Sequence, residues 1–234
     1  LDTATAGTKS GDISFSTNDS DENPFNFRIT GQVTEAPTFP PAEQFLGDTD
    51  SFDLANKAIL FTPGGSGYTF TVWSITELPT APAGGTQLTL SDDDSVAVSL
   101  GSGRTVVLYG QSYSSFYAGS NGYLTFTQSD TDYSESLADH FDTPRISVLF
   151  DDLNPSASGQ VSWRQLSDRV VVTWDAVADY GTGNPNTMQV EMYFDGRIQL
   201  AWLAVASQDG IVGLSNGLGL PGGFTETDLS AGGL

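Results

Sequence analysis

The chain has 234 residues, 38% hydrophobic and 11% aromatic, and sets eight Lys and Arg against 29 Asp and Glu for a formal charge of −21. That composition belongs to a folding sequence, and the length suits one large sandwich or a small module plus a larger one. A surface this negative argues against nucleic acid and anionic membranes as partners; with no Cys there is no thiol catalysis, cysteine-held zinc or disulfide framework, and no apolar run is long enough for a helical bilayer span.

In chain order, the opening Leu1-Asp2-Thr3 lacks an initiator Met or signal peptide and reads as a piece of a longer protein. Asp12–Ser16 and Pro24–Val33 predict a hairpin, so residues 1–33 form a small N-terminal piece. The stretch 34–44, with Pro37, Pro40 and Pro41, breaks the pattern and reads as a linker or an extended crossing strand. Residues 45–234 are then the main body. Strands are expected at Ala58–Thr62, Thr69–Ile75, Arg104–Tyr109, Ile146–Phe150 and Gly210–Leu214. Hairpins are expected where Gln87–Leu90 meets Val96–Leu100, Tyr113–Ala118 meets Tyr123–Thr127, and Gln160–Arg164 meets Arg169–Asp175. Only Ser134–Phe141 hints at a helical turn. The clearest signal is Thr187–Leu203, where Met188, Val190, Met192 and Phe194 alternate with Gln189, Glu191 and Tyr193 before the Asp195-Gly196 turn. About a dozen short strands with Gly- and Pro-rich turns predict an all-β fold, an antiparallel sandwich of jelly-roll or similar type.

Several acidic groups have the chemistry of calcium ligands. Asp19, Asp21 and Asn23 present oxygens at alternate positions, as the start of an EF-hand does, but Pro24 stands where that loop needs Gly and Thr30 where it needs Glu. The segment is therefore a hairpin loop whose side chains bond the backbone, or a loose calcium loop. Asp48/Asp50 and Asp130/Asp132 repeat the spacing, which also suits plain solvation. Asp92-Asp93-Asp94 reads as a charge run in a hairpin turn. Asp151 and Asp152 close an apolar strand, as a capped turn or as calcium ligands, with Asp139 and Asp142 near in sequence.

Catalytic patterns are sparse. His140 is the sole histidine, so a metal held by two or three histidines is excluded, and Asp139 and Asp142 lie too close to it in sequence to orient it in a triad. The chain is expected not to be an enzyme. For a sugar ligand, Tyr113 and Tyr117 share one predicted strand face beside Asn121, and Tyr180 adds a third ring; the competing reading is that these aromatics are core. Trp73, Trp163, Trp174 and Trp202 alternate with apolar neighbours and read as core.

Two stretches resemble known families. Ile13–Val33 (ISFSTNDSDENPFNFRITGQV) resembles the last two strands of the immunoglobulin-like choice-of-anchor repeats of bacterial surface proteins. Tyr113–Phe126 (YSSFYAGSNGYLTF), Arg145–Leu153 (RISVLFDDL), Gly159–Trp163, Asp168–Asp175, Met188–Gly196 and Val212–Gly217 together resemble nidogen-like β-sandwich modules over roughly residues 105–217. The cysteine-rich neighbours of the animal versions are missing. The resemblance implies a secreted or cell-surface location and an adhesive or accessory role, and it supplies no catalytic residue. The expectation is an extracellular adhesion or structural module, with calcium as a cofactor. A carbohydrate-binding module beside a polysaccharide-degrading enzyme is the alternative. The partners would be a glycan or another surface protein.

Overall fold

Period-two alternation, broken every few residues by Gly, Pro or paired Asp, makes strands short and turns tight, and the computed structural model is built almost wholly of them. It describes residues 7–19, 21, 23–33, 40–65 and 67–231, in two units, Leu1–Thr38 and Phe39–Leu234.

In the first unit, β1 (Gly7–Phe15) pairs antiparallel with β2 (Phe25–Val33). Phe15 faces Phe25 and Ile13 faces Phe27, so one side of the ribbon is apolar. On the other side Arg28 donates to Asp12 at 2.8 Å.

The second unit is a sandwich. Its strands are β3 (Ala42–Leu46), β4 (Lys57–Gly64), β5 (Gly67–Ser74), β6 (Thr86–Leu88), β7 (Ser95–Ser99), β8 (Val106–Leu108), β9 (Gln111–Tyr113), β10 (Ser115–Gly119) and β11 (Tyr123–Thr125). After helix α1 (Leu137–Asp142) come β12 (Pro144–Phe150), β13 (Leu153–Asn154), β14 (Gln160–Gln165), β15 (Arg169–Asp179), β16 (Pro185–Tyr193), β17 (Ile198–Ala204) and β18 (Asp209–Asn216). One sheet runs β3-β18-β12-β11-β10-β7. The other runs β5-β4-β17-β16-β15-β14-β6, with β13 added on β15. A ribbon of β8 and β9 completes the described strands, and all pairings are antiparallel.

The inward faces interdigitate as alternation dictates. Met188 pairs with Trp202, Val190 with Leu200 and Met192 with Ile198, all buried. Two tryptophans of the larger sheet reach the smaller one: Trp174 Nε1 donates to Gly119 O at 3.1 Å and Trp202 Nε1 to Val148 O at 2.7 Å. Their rings fill the core while their one polar atom is satisfied across it. Trp163 is half-buried, but Trp73, expected in the core, is 40% exposed because it sits on the outward side of edge strand β5.

The expected hairpin of Gln87–Leu90 with Val96–Leu100 does not form: β6 pairs with β14 in the larger sheet and β7 with β10 in the smaller, so the Asp92-Asp93-Asp94 turn crosses between sheets. Other departures from the sequence reading have local causes. Of the proline-rich stretch 34–44, residues 34–39 lie outside the described residues, while Pro40 and Pro41 are buried and Ala42–Gln44 belong to β3. The predicted strand Tyr113–Ala118 is two strands, interrupted at Ser114. The helix starts only at Leu137 because Ser136 caps it, its Oγ accepting from Asp139 N at 3.1 Å. No helix is long and apolar enough to cross a membrane among the described residues.

Candidate functional site

One end of the sandwich gathers acid. The turn before β7 carries Asp92-Asp93-Asp94, the turn after β12 carries Asp151-Asp152, and β15 ends at Asp179. Carboxylate oxygens of Asp92, Asp93 and Asp152 all lie within 4.8 Å of one another. Asp92 Oδ1 is buried and accepts no hydrogen bond. Burial and the neighbouring Asp93 raise the Asp92 carboxyl above its ordinary range. Burial, then Asp93, Asp92 and Asp179, push Asp152 up to about 6. Each shift records a site where negative charge is crowded and poorly hydrated.

Asn121 organises this cluster. It is 1% exposed; its Nδ2 donates to Asp93 Oδ1 at 3.0 Å and to Asp132 O at 3.1 Å, and its Oδ1 accepts from Leu153 N at 3.0 Å. One amide thereby fixes three loops. Asn121 was expected beside a sugar platform; every polar atom of its side chain is instead used inside the protein. Gly122, next to it, has φ +74°, and an added Cβ would lie 1.8 Å from Leu149 O. The Asn-Gly pair of the SNGYL motif thus follows from packing: an amide that bridges loops, then a residue for which only hydrogen fits.

Asp151 and Asp152 are neighbours with separate roles. Asp152 joins Asp92 and Asp93. Asp151 is buried; its Oδ1 accepts from Asp152 N at 2.8 Å and its Oδ2 from the Ser207 hydroxyl. Burial pushes its carboxyl up to about 7, opposed by those bonds and reinforced by Asp209 and Glu135. Asp139 and Asp142 lie elsewhere: Asp139 bonds Ser136, and Asp142 lies 3.6 Å from Arg145. Asp19, Asp21 and Asn23 are not brought to a third carboxylate among the described residues. Asn23 Oδ1 accepts from Thr17 N at 3.1 Å and Asp19 Oδ1 from Asp21 N at 3.4 Å.

The tyrosines separate. Tyr113 belongs to the β8–β9 ribbon and packs on Phe126 with centroids 4.9 Å apart; Tyr117 lies in β10 of the six-stranded sheet. The break at Ser114 resets the alternation, so the two rings form no common platform. Phe116, expected opposite Tyr113, contacts the same Phe126 ring at 6.5 Å. Tyr180 is 55% exposed and stands at the acidic end, its N donating to Asp152 O at 2.8 Å. His140 is fully buried and its Nδ1 lies 2.8 Å from Ser147 Oγ, with burial and Arg145 holding its pKa down to about 3. It is therefore neutral, and turned from Asp139 and Asp142.

In the sequence Asp92 and Asp93 read first as a charge run in a hairpin turn. Nothing in the chain order places them beside Asp152, which is distant in sequence. The one available signal was that two acidic turns both flank strands running toward the same end.

Comparison with known proteins agrees with this architecture. No curated protein and no solved structure matched the chain. A family described as NIDO related matches residues 67–231, from β5 through the segment beyond β18. That span takes in every strand contributing to the acidic end as well as the SNGYL turn. The chain belongs to the NIDO-related family.

Proposed function

We propose that the chain is a non-catalytic extracellular module of structural or adhesive role, stiffened at its acidic end by calcium. The observation that carries the calcium reading is the convergence of Asp92, Asp93 and Asp152, whose oxygens lie within 4.8 Å of one another. Two oxygens on one calcium ion at about 2.4 Å each are at most about 4.8 Å apart, so the group has the span that a shared ion requires. Asp92 Oδ1, shielded from water with no donor, has the deficit that a cation would relieve. Nidogen-related membership and a charge of −21 support work outside the cell, where calcium is plentiful. The adhesive role is the family-level expectation, and the rigid antiparallel sandwich is its scaffold.

The test is thermal unfolding of the full chain in chelator and in 5 mM calcium. Extracellular calcium modules bind in the range of about 0.1–1 mM, which gives about 1–2 kcal/mol of stabilisation at that concentration. For a body of this size that is roughly 2–8 °C in Tm. Asp93→Asn and Asp152→Asn should each abolish the rise. An identical Tm with and without calcium, together with no binding heat by calorimetry, removes the calcium reading.

A further inference from the structure

The end of the sandwich opposite the acidic cluster has a different character. β7 has the Asp92–Asp94 turn before it and the Gly101–Arg104 turn after it, and β15 runs from Arg169 to Asp179. At about 3.3 Å per residue, the two ends of β15 are roughly 30 Å apart. Three of the chain's eight cationic residues, Arg104, Arg169 and Arg197, lie at this second end. Its turns are tied together. Gly101 N donates to Gln165 Oε1 at 2.8 Å, Gln165 Nε2 donates to Gly101 O at 3.2 Å, and Phe194 N donates to Asp168 O at 2.9 Å.

Between the turns is a cleft of about 360 Å³, lined in part by Arg104, Asp168, Tyr193, Phe194, Asp195 and Arg197. Aromatic rings seat the guanidiniums. Arg104 lies over Phe194 at 5.2 Å and Arg197 over Tyr193 at 4.6 Å. Arg197 is paired with Asp195 at 2.9 Å. Among the described residues Arg104 alone of the six arginines has neither a side-chain hydrogen bond nor an ion pair; its guanidinium rests on the ring beneath it. A guanidinium held in place with all its donors free is prepared for a planar anion.

We propose that this cleft binds the carboxylate of a hexuronate unit in an acidic polysaccharide. Arg104, with Arg197 beside it, takes the carboxylate as a planar fork. Asp168 and Asp195 accept from the sugar hydroxyls. The mixed lining favours a ligand that carries hydroxyl donors beside its carboxylate: a uronate sets both on one ring, so its hydroxyls meet Asp168 and Asp195 while its carboxylate meets Arg104, whereas an acidic side chain of a peptide brings the carboxylate alone. The site needs no metal and lies at the other end of the sandwich from the acidic cluster, so it stands apart from the calcium reading.

The experiment titrates the full chain with hexameric oligogalacturonate in a chelator at low salt, by calorimetry. A neutral hexasaccharide and polyglutamate form the parallel arms. Saturable binding confined to the uronate is expected, weakened roughly tenfold or more in Arg104→Ala and partly retained in Arg104→Lys. Circular dichroism confirms that these exposed-side variants fold, and Arg197→Ala provides a second, independent loss. No saturable binding, or binding unchanged in both alanine variants, overturns the proposal. Equal binding of polyglutamate replaces it with an acidic protein partner, and equal binding of the neutral sugar removes the carboxylate from the recognition.

Discussion

Gly122 shows how a single residue type is fixed by space as well as by backbone angle. Its φ of +74° disfavours any side chain, and Leu149 O occupies the place of a Cβ. Gly181 has nearly the same φ, +76°, with nothing within 4 Å. Gly181→Ala therefore carries only the angular penalty, about 1 kcal/mol, while Gly122→Ala must also move β12 and should lose about 2–4 kcal/mol in urea unfolding. Equal losses would show that the backbone angle alone selects glycine at Gly122. Glu43 offers a different residue-scale test. It is buried in β3 and its Oε2 accepts from Leu229 N at 3.0 Å, yet burial pushes its carboxyl up to about 7 from an ordinary 4.5, with Asp53, Asp228 and Asp50 adding to the rise. A raised carboxyl favours the folded state when protonated. Its contribution is complete below about pH 4.5 and is lost as pH rises through about 7. Glu43→Gln keeps an acceptor for Leu229 and removes the ionisation. The variant should match the parent at about pH 4 and exceed it by on the order of 1–2 kcal/mol at about pH 8.5, read from paired urea melts. A constant difference at both pH values would show that Glu43 ionises freely in the fold.

At the scale of elements, the segment Ile75–Gly85 does what no periodicity announces. Alternation places Gln189 and Glu191 on the outward face of β16, and they are there, but they are 0% and 1% exposed. The segment crosses over them. Thr80 N donates to Gln189 Oε1 at 3.0 Å, Gln189 Nε2 donates to Thr80 O at 2.7 Å, and the Thr80 hydroxyl donates to Glu191. Arg169 closes the network, 3.1 Å from Glu191, and Tyr193 Oη donates to Glu191 at 2.8 Å. The Gln189 amide holds both backbone groups of Thr80, so the strap should loosen when that amide is removed. In Gln189→Ala, amide hydrogen exchange should quicken by about tenfold across residues 76–85 while the β15–β16 ladder stays protected. Unchanged exchange in the strap would mean that Glu191 and Arg169 suffice to hold it. The contrast explains what a sequence reading reaches. The Met188–Trp202 hairpin was legible because both strands alternate and the Asp195-Gly196 turn fixes their register. The polar face beneath the strap and the meeting of Asp92 with Asp152 depend on contacts between segments far apart in the chain, which no local pattern encodes. The edge at β3 is similar: Thr227 N donates to Ala42 O at 2.9 Å and Gln44 N to Glu226 at 3.1 Å, so a tail without strand pattern shields an otherwise open ladder.

The whole molecule carries −21 charges unevenly, with carboxylates gathered at one end of the sandwich and arginines at the other. Each arginine at the basic end except Arg104 is matched by a carboxylate, whereas Asp92, Asp93 and Asp152 face one another. The fold therefore bears a net repulsion that the unfolded chain, with its charges spread apart, does not. Mobile ions weaken that repulsion: the screening length falls from about 10 Å at 0.1 M salt to about 3 Å at 1 M. In chelator, raising sodium chloride from 20 mM to 500 mM should lift the Tm by several degrees. The lift should shrink in Asp93→Asn with Asp152→Asn, because much of the relieved repulsion sits in that cluster. A Tm that falls with salt would mean that attractive pairs such as Asp12–Arg28 and Asp195–Arg197 outweigh the crowding, and that the acidic end needs no counter-ion to be stable.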